Sequence, residues 1–138
     1  MSHTILFLCP HSAAKSVLAA AYFQRLAGQH QLDVNAAFAG TEPDAAISPA
    51  VAELLRSEGI DVTGYTPRRV AAEELAQAWR VVSLGCEVDH LASPQLAVER
   101  WDDVPPPSQD LAAAKNIILA HIEQLVAELK FLESSNSL

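Results

Sequence analysis

Basic residues are scarce in this sequence: 9 Lys and Arg stand against 17 Asp and Glu, for a formal net charge of −8. That balance argues against a nucleic-acid or anionic-membrane surface, which needs clustered Lys and Arg. An anion can bind only through a local device, because the overall field repels it. Cysteine is scarcer still, with Cys9 and Cys86 as the two examples. Two cysteines in an intracellular chain are not a disulfide framework. No apolar run approaches the roughly eighteen residues that a membrane helix needs. The opening MSHTILFLCP lacks a basic region, and its apolar run is too short for a signal peptide. The expected location is the cytoplasm. His3, His30, His90 and His121 show no metal-ligand spacing with one another or with the cysteines, so neither a metal nor a cofactor is expected.

What is present is a chain of 138 residues, half of them apolar, enough to bury one sizeable core. The expectation is one domain over residues 1–138. Thr4-Ile5-Leu6-Phe7-Leu8 is a short, nearly continuous apolar run, as expected of a strand buried on both faces. A loop with Pro10 and Ser12 leads into a helix predicted from about Ala13 to Ala27, striped by Val17, Leu18, Ala20, Ala21, Phe23 and Leu26. Leu32 to Ala39 reads as a second strand ended by Gly40. Ser48-Pro49 opens a helix, with Ser as N-cap and Pro at the first position, that stops at Gly59. A short helix is expected over Ala71 to Ala76 and a third strand over Arg80 to Leu84, ended by Gly85-Cys86. A short fourth strand follows over Leu96 to Glu99. Trp101 to Pro107 is too rich in proline for helix or central strand. A long helix from about Ser108 to Phe131 carries the stripe Leu111, Ala114, Ile118, Leu125, Leu129 and Leu132.

Strands alternating with helices imply an α/β fold with a parallel sheet and right-handed crossovers. Ligands of such sheets sit beyond the carboxyl ends of the strands. Three of those ends carry suggestive residues: Cys9, Cys86 and the Trp101–Pro107 loop.

The loop Cys9-Pro10-His11-Ser12-Ala13-Ala14-Lys15-Ser16 suits thiol chemistry. A helix N-terminus and a neighbouring cation both favour a thiolate. A loop folded around an anion turns successive N–H groups inward. Pro10, His11, Ser12, Ala13, Ala14 and Lys15 would line such a cradle, Lys15 adding charge, while Ser16 could donate its hydroxyl to the sulfur and His11 add a donor nearby. The same residues also fit a buried strand-end cysteine followed by a lysine in a solvated turn.

Residues Ile5 to Ser16 resemble the phosphate-binding loop of the low-molecular-weight protein tyrosine phosphatases and of the related thioredoxin-coupled arsenate reductases. That signature is Cys, five residues, Arg, then Ser or Thr, directly after the first strand. Ala39-Gly40-Thr41, Gly59-Ile60-Asp61, Val81 to Cys86, and Trp101-Asp102 resemble further segments of the family, in order, over roughly residues 4 to 130. The resemblance implies a three-layer α/β sandwich whose four-stranded parallel sheet has the order 2-1-3-4, with helices on both faces. It implies Cys9 as nucleophile, phosphate, arsenate or a phosphorylated molecule as substrate, and Cys86 as a second thiol that joins Cys9 during arsenate reduction. Thioredoxin or a small thiol would then be the reductant.

The sequence departs from the pattern in three ways. Lys15 replaces the signature Arg, so a point charge stands where a bidentate fork is usual. The position of the family's acid, the Asp of Asp-Pro, falls on Pro105, with Asp102 and Asp103 nearby as substitutes. His11 and Ser12 stand where the family's loop has Gly and Asn. These departures leave three readings open: an arsenate reductase-like enzyme, which the presence of Cys86 favours; a phosphomonoester hydrolase; and a non-catalytic phosphate-binding relative.

Overall fold

The computed structural model describes residues 3–88 and 97–136. Four strands, β1 (His3–Leu8), β2 (Val34–Ala39), β3 (Arg80–Ser83) and β4 (Val98–Arg100), pair in parallel in the order β2-β1-β3-β4. Leu6 lies opposite Ala37 on one side and Val81 on the other, and Val81 in turn opposes Val98. The expected order and parallel sense are those observed. The fourth strand starts later than expected; Leu96 and His90 lie outside the described residues.

Side chains of a strand alternate between faces, and β1 divides its residues accordingly. Ile5 and Phe7 enter a core with α1 (Lys15–Gln29), α2 (Pro49–Ser57) and α4 (Leu111–Asn136). Leu6 and Leu8 join Val70, Leu75, Val81 and Cys86 on the opposite face, beneath the short α3 (Ala72–Gln77). Among the described residues helices therefore cover both faces, three against one. Ala19, Ala20, Ala21 and Ala27 of α1 are buried and let that helix lie close to the sheet, while Leu18 and Phe23 fill the space between them. On α4 the buried stripe is Ala114, Ile118, Ile122, Leu125, Val126 and Leu129; Leu132, expected in it, is exposed. One turn past Leu129, α4 has outrun the domain it packs on.

The helix ends differ in how their backbone groups are satisfied. Ser48 caps α2, its Oγ accepting from Val51 N at 3.4 Å, with Pro49 in the first turn; Gly59, at φ +81°, ends it. By contrast α1 begins two residues later than the sequence suggests, behind Ala14, which has no side chain able to cap it. Its first amides are left for another partner. Tyr22, Glu58 and Lys115 hydrogen-bond across α1, the end of α2 and α4, locking the three helices together. Burial and Glu58 push the Tyr22 phenol well above its ordinary range. Tyr65 packs at a tilt against Phe38.

Candidate active site

Between β1 and α1 the chain makes a loop that is buried at Cys9, Ser12, Ala13 and Ser16. Its carbonyls are taken up by the segment after β2. Pro10 O accepts from Glu42 N at 2.7 Å, His11 O from Asp44 N at 2.9 Å and Ala13 O from Ser48 N at 2.9 Å. In a trans peptide the N–H that follows a carbonyl points the opposite way. The amides of His11, Ser12 and Ala14 are therefore turned away from that segment, and among the described residues they have no hydrogen-bond partner. A buried loop with unpaired amides beside an uncapped helix start is what an oxyanion needs.

Two residues make this turn possible. Ser12 adopts φ +54°, the left-handed region in which a non-glycine residue costs about 1–2 kcal/mol. Its side chain is wholly buried, and Oγ accepts from Arg68 N at 3.3 Å, which holds the turn in place. His11, the residue before it, keeps a negative φ. Gly40, at the end of β2, lies flat beneath the loop. A Cβ there would stand 2.5 Å from Cys9 O, 2.6 Å from Pro10 O and 2.8 Å from Ser12 N.

The Cys9 sulfur sits at the centre of this arrangement. Ser16 N donates to it at 3.4 Å and Ser16 Oγ lies 3.0 Å away. Both contacts stabilise negative charge on the sulfur when the hydroxyl donates. Cys9, Pro10, His11, Ala13, Ala14 and Lys15 line a cavity of about 330 Å³. Asp44, Ser48, Ala50 and Val51 close one side of it, and Pro106, Pro107, Ser108 and Leu111 the other. The expected convergence of the first strand's end with the proline-rich loop is thus observed. The Lys15 ammonium reaches across to Gly85, within 3.6 Å of where a Cβ would stand.

Cys86 is at the same end of the sheet but belongs to the other core, and it does not line the cavity. The chain turns after β3 at Gly85, where φ is +90°, and Ser83 pins the turn: its Oγ donates to Cys86 O at 2.6 Å and accepts from Cys86 N at 3.0 Å. The Cys86 thiol donates to Thr41 Oγ1 at 3.6 Å. Burial pushes this thiol up, against the pull of Thr41, and nearby Cys9 and Glu87 add to the rise. It rests as a protonated thiol.

Asp102 and Asp103 are turned elsewhere. Asp102 pairs with Arg100 at 3.1 Å, and Asp103 with His121 at 2.8 Å. The hydrogen bond from His121 holds the Asp103 carboxyl below the usual range. Neither is among the residues that line the cavity. The reason is Trp101, buried beneath them and stacked on His121, which fixes the course of this turn. The carboxylate that does line the cavity is Asp44, which sequence reasoning passed over as a loop residue. Arg68 and Arg69 brace the loop from behind: Arg68 through its N–H on Ser12 and a guanidinium pair with Glu74, Arg69 by donating to Thr41 O at 2.8 Å. Among the described residues no group of three His, Cys, Asp or Glu is placed to hold a metal ion. No helix among them is long and apolar enough to cross a membrane.

A cysteine cradled at the start of a helix, after the first strand of a 2-1-3-4 parallel sheet, defines a cysteine-loop oxyanion-binding domain. The profile of the family described as "Low molecular weight phosphotyrosine protein phosphatase" matches residues 4–104, and the chain belongs to that family. Catalysis by the loop cysteine is general to it. A Halobacterium salinarum protein named "Putative arsenate reductase" is 29% identical over 125 residues, which cover 89% of this chain and 87% of that one. YfkJ from Bacillus subtilis superposes with a TM-score of 0.83 at 22% identity, covering 94% of this chain and 96% of its own. An arsenate reductase from Archaeoglobus fulgidus has a TM-score of 0.67 at 27% identity, over 91% and 97% of the two chains.

Proposed function

We propose that this protein is a thiolate-based oxyanion enzyme that reduces arsenate, with Cys9 as nucleophile and Cys86 as the second thiol. The observation that carries the reading is the double contact of Ser16 with Cys9 Sγ, beside amides that have no partner among the described residues. Arsenate and phosphate present the same tetrahedral array of acceptors, and the cradle suits either. Pro10, His11, Ser12, Ala13 and Ala14 contribute backbone and Lys15 a cation to hold it. The Lys15 point charge supplies attraction without the paired hydrogen bonds of a guanidinium.

The chemistry runs in three steps. Cys9 Sγ attacks arsenic, a sulfur–arsenic bond forms, and an arsenate hydroxyl takes a proton and leaves as water. Cys86 Sγ, having lost its proton, attacks Cys9 Sγ; the new S–S bond forms as the S–As bond breaks. That bonding pair stays on arsenic, which leaves as arsenite, reduced by two electrons. An external dithiol such as thioredoxin, or a small thiol, then reduces the disulfide. Cys86 must leave Thr41 to reach Cys9, so the turn that Ser83 pins has to open. Support for reduction over ester hydrolysis comes from the second thiol at the same sheet end and from the absence of any carboxylate of the proline-rich loop from the cavity lining. The named roles of the halobacterial and archaeoglobal relatives point the same way. Arsenite production coupled to thioredoxin, compared with hydrolysis of para-nitrophenyl phosphate, tests the reading. Arsenite formation that depends on Cys9 supports it; phosphatase turnover without arsenite formation overturns it.

A further inference from the structure

The first chemical step releases an oxygen that needs a proton, and the usual carboxylate position is Pro105. We propose that His11 is the proton donor to the departing oxygen and that Asp44 is the residue that positions it. The proposal deepens the reading above and rests on it.

His11 lies on the cradle two residues from Cys9 and lines the same cavity. Its Nδ1 is 3.1 Å from Glu42 O and 3.4 Å from Asp44 Oδ1. A backbone carbonyl only accepts, so Nδ1 carries a proton whatever the charge of the ring. That fixes the tautomer. Nε2 is the nitrogen left for a ligand, and among the described residues it makes no hydrogen bond. In the imidazolium form Nε2 carries the second proton and faces no competing acceptor. Asp44 and Glu42 O together complement the charge of that form, as a carboxylate does behind many catalytic imidazoles. The carbonyl of Glu42 and the amide of Asp44 also belong to the segment that binds the loop's own carbonyls, so one segment braces both ring and cradle.

The titratable groups sharing the cavity with His11 are Asp44, from the loop after β2, Cys9, from the cradle, and Lys15, from the start of α1. Lys15 reaches over Gly85. Asp44 pairs with the ring instead. The ring is more than half exposed, so solvent restores its proton after each transfer. The transfer balances. As the S–As bond forms, the As–O pair leaves with the oxygen of an arsenate hydroxyl; Nε2 gives that hydroxyl a second proton, water departs, and the ring is left neutral with Nδ1 still protonated.

The test combines kinetics, anion binding and spectroscopy on the full chain. Arsenate-driven disulfide formation is followed in a single turnover across pH for wild type, His11→Gln, Asp44→Asn and Asp44→Glu. Protection of Cys9 from alkylation by inorganic phosphate reports anion binding. His11→Gln is expected to slow disulfide formation about a hundredfold, at the low end of general-acid effects, and to remove the fall in rate on the alkaline side. Phosphate protection should persist within about threefold, since the backbone supplies most of the cradle. Asp44→Asn should lose about tenfold and Asp44→Glu should recover most of it, the behaviour of a carboxylate that orients the ring. A parallel loss of rate and of phosphate protection would make His11 an anion ligand only and overturn the proposal, as would an unchanged pH profile. If wild type binds phosphate yet forms no disulfide, the reductase reading fails by itself. The ¹⁵N shifts of His11 then still decide the tautomer: a neutral ring protonated on Nδ1 upholds the assignment of Nε2 as the free nitrogen, and one protonated on Nε2 overturns it.

Discussion

Ser16 touches the Cys9 sulfur twice, through its backbone N–H at 3.4 Å and its hydroxyl at 3.0 Å. The hydroxyl contact is the removable one. Ser16→Ala should slow alkylation of Cys9 by iodoacetamide severalfold, because the sulfur loses a donor that stabilises negative charge on it. Wild-type Cys9 should react well ahead of Cys86, whose thiol burial keeps protonated. Peptide mapping after timed alkylation measures both rates. Equal rates for the two thiols would contradict the assignment of Cys9.

Gly40 tests the cradle without touching its chemistry. A Cβ at this position meets three backbone atoms at under 3 Å, and none of them can swing aside as a side-chain tip would. Gly40→Ala should cost on the order of 1–3 kcal/mol of stability, as overpacking does, and should abolish saturable phosphate binding in the fraction that folds. Denaturant unfolding and phosphate titration check the two effects. Unimpaired binding would mean that the loop tolerates displacement from Gly40.

The alternation of strands and helices and the place of the Cys9 loop were legible in the sequence, because apolar period and turn chemistry are local; the order of the sheet came from the family resemblance. Ile5 to Leu8 reads as a doubly buried strand from its composition, and Ser48-Pro49 marks a helix start by its capping chemistry. Asp44 was not legible. Its role depends on a hydrogen bond between its own amide and His11 O, residues 33 apart in the chain, and nothing in the neighbourhood of a loop aspartate signals that. The pairing of Asp103 with His121, 18 residues on, was hidden for the same reason: it depends on Trp101 being buried and stacked on His121. For Cys86, proximity to the first strand's end was foreseeable, but not its burial in the core on the opposite face of the sheet from Cys9.

Lys15→Arg restores a planar fork at the mouth of the cradle. It should tighten phosphate binding by about 1–2 kcal/mol, the added worth of a charge-assisted bond, read by isothermal titration or by protection of Cys9. The Lys15 ammonium lies over Gly85. Unchanged or weaker binding in a folded variant would show that the loop is shaped around that compact charge.

Asp102→Asn and Asp103→Asn should leave arsenate turnover and phosphate binding within about twofold, since neither carboxylate lines the cavity. For Asp103 a small stability effect is expected, about 0.2–1 kcal/mol for an exposed pair. Its sign follows from the lowered carboxyl: the contribution is present above the ordinary aspartate value of 3.8 and is lost as pH falls through the folded-state value. Thermal unfolding of wild type and Asp103→Asn should therefore differ near neutral pH and converge in acid. A loss of turnover above tenfold in either variant would return that carboxylate to the active site.

The central claim is that Cys9 and Cys86 form a working pair, and intact-mass analysis with peptide mapping after a single addition of arsenate tests it most directly. A Cys9–Cys86 disulfide should appear, two mass units below the reduced chain, in step with arsenite release, and thioredoxin or glutathione should reverse it. Cys86→Ser should abolish both products while phosphate still protects Cys9. Cys9 found modified by arsenate but never joined to Cys86 would contradict the account.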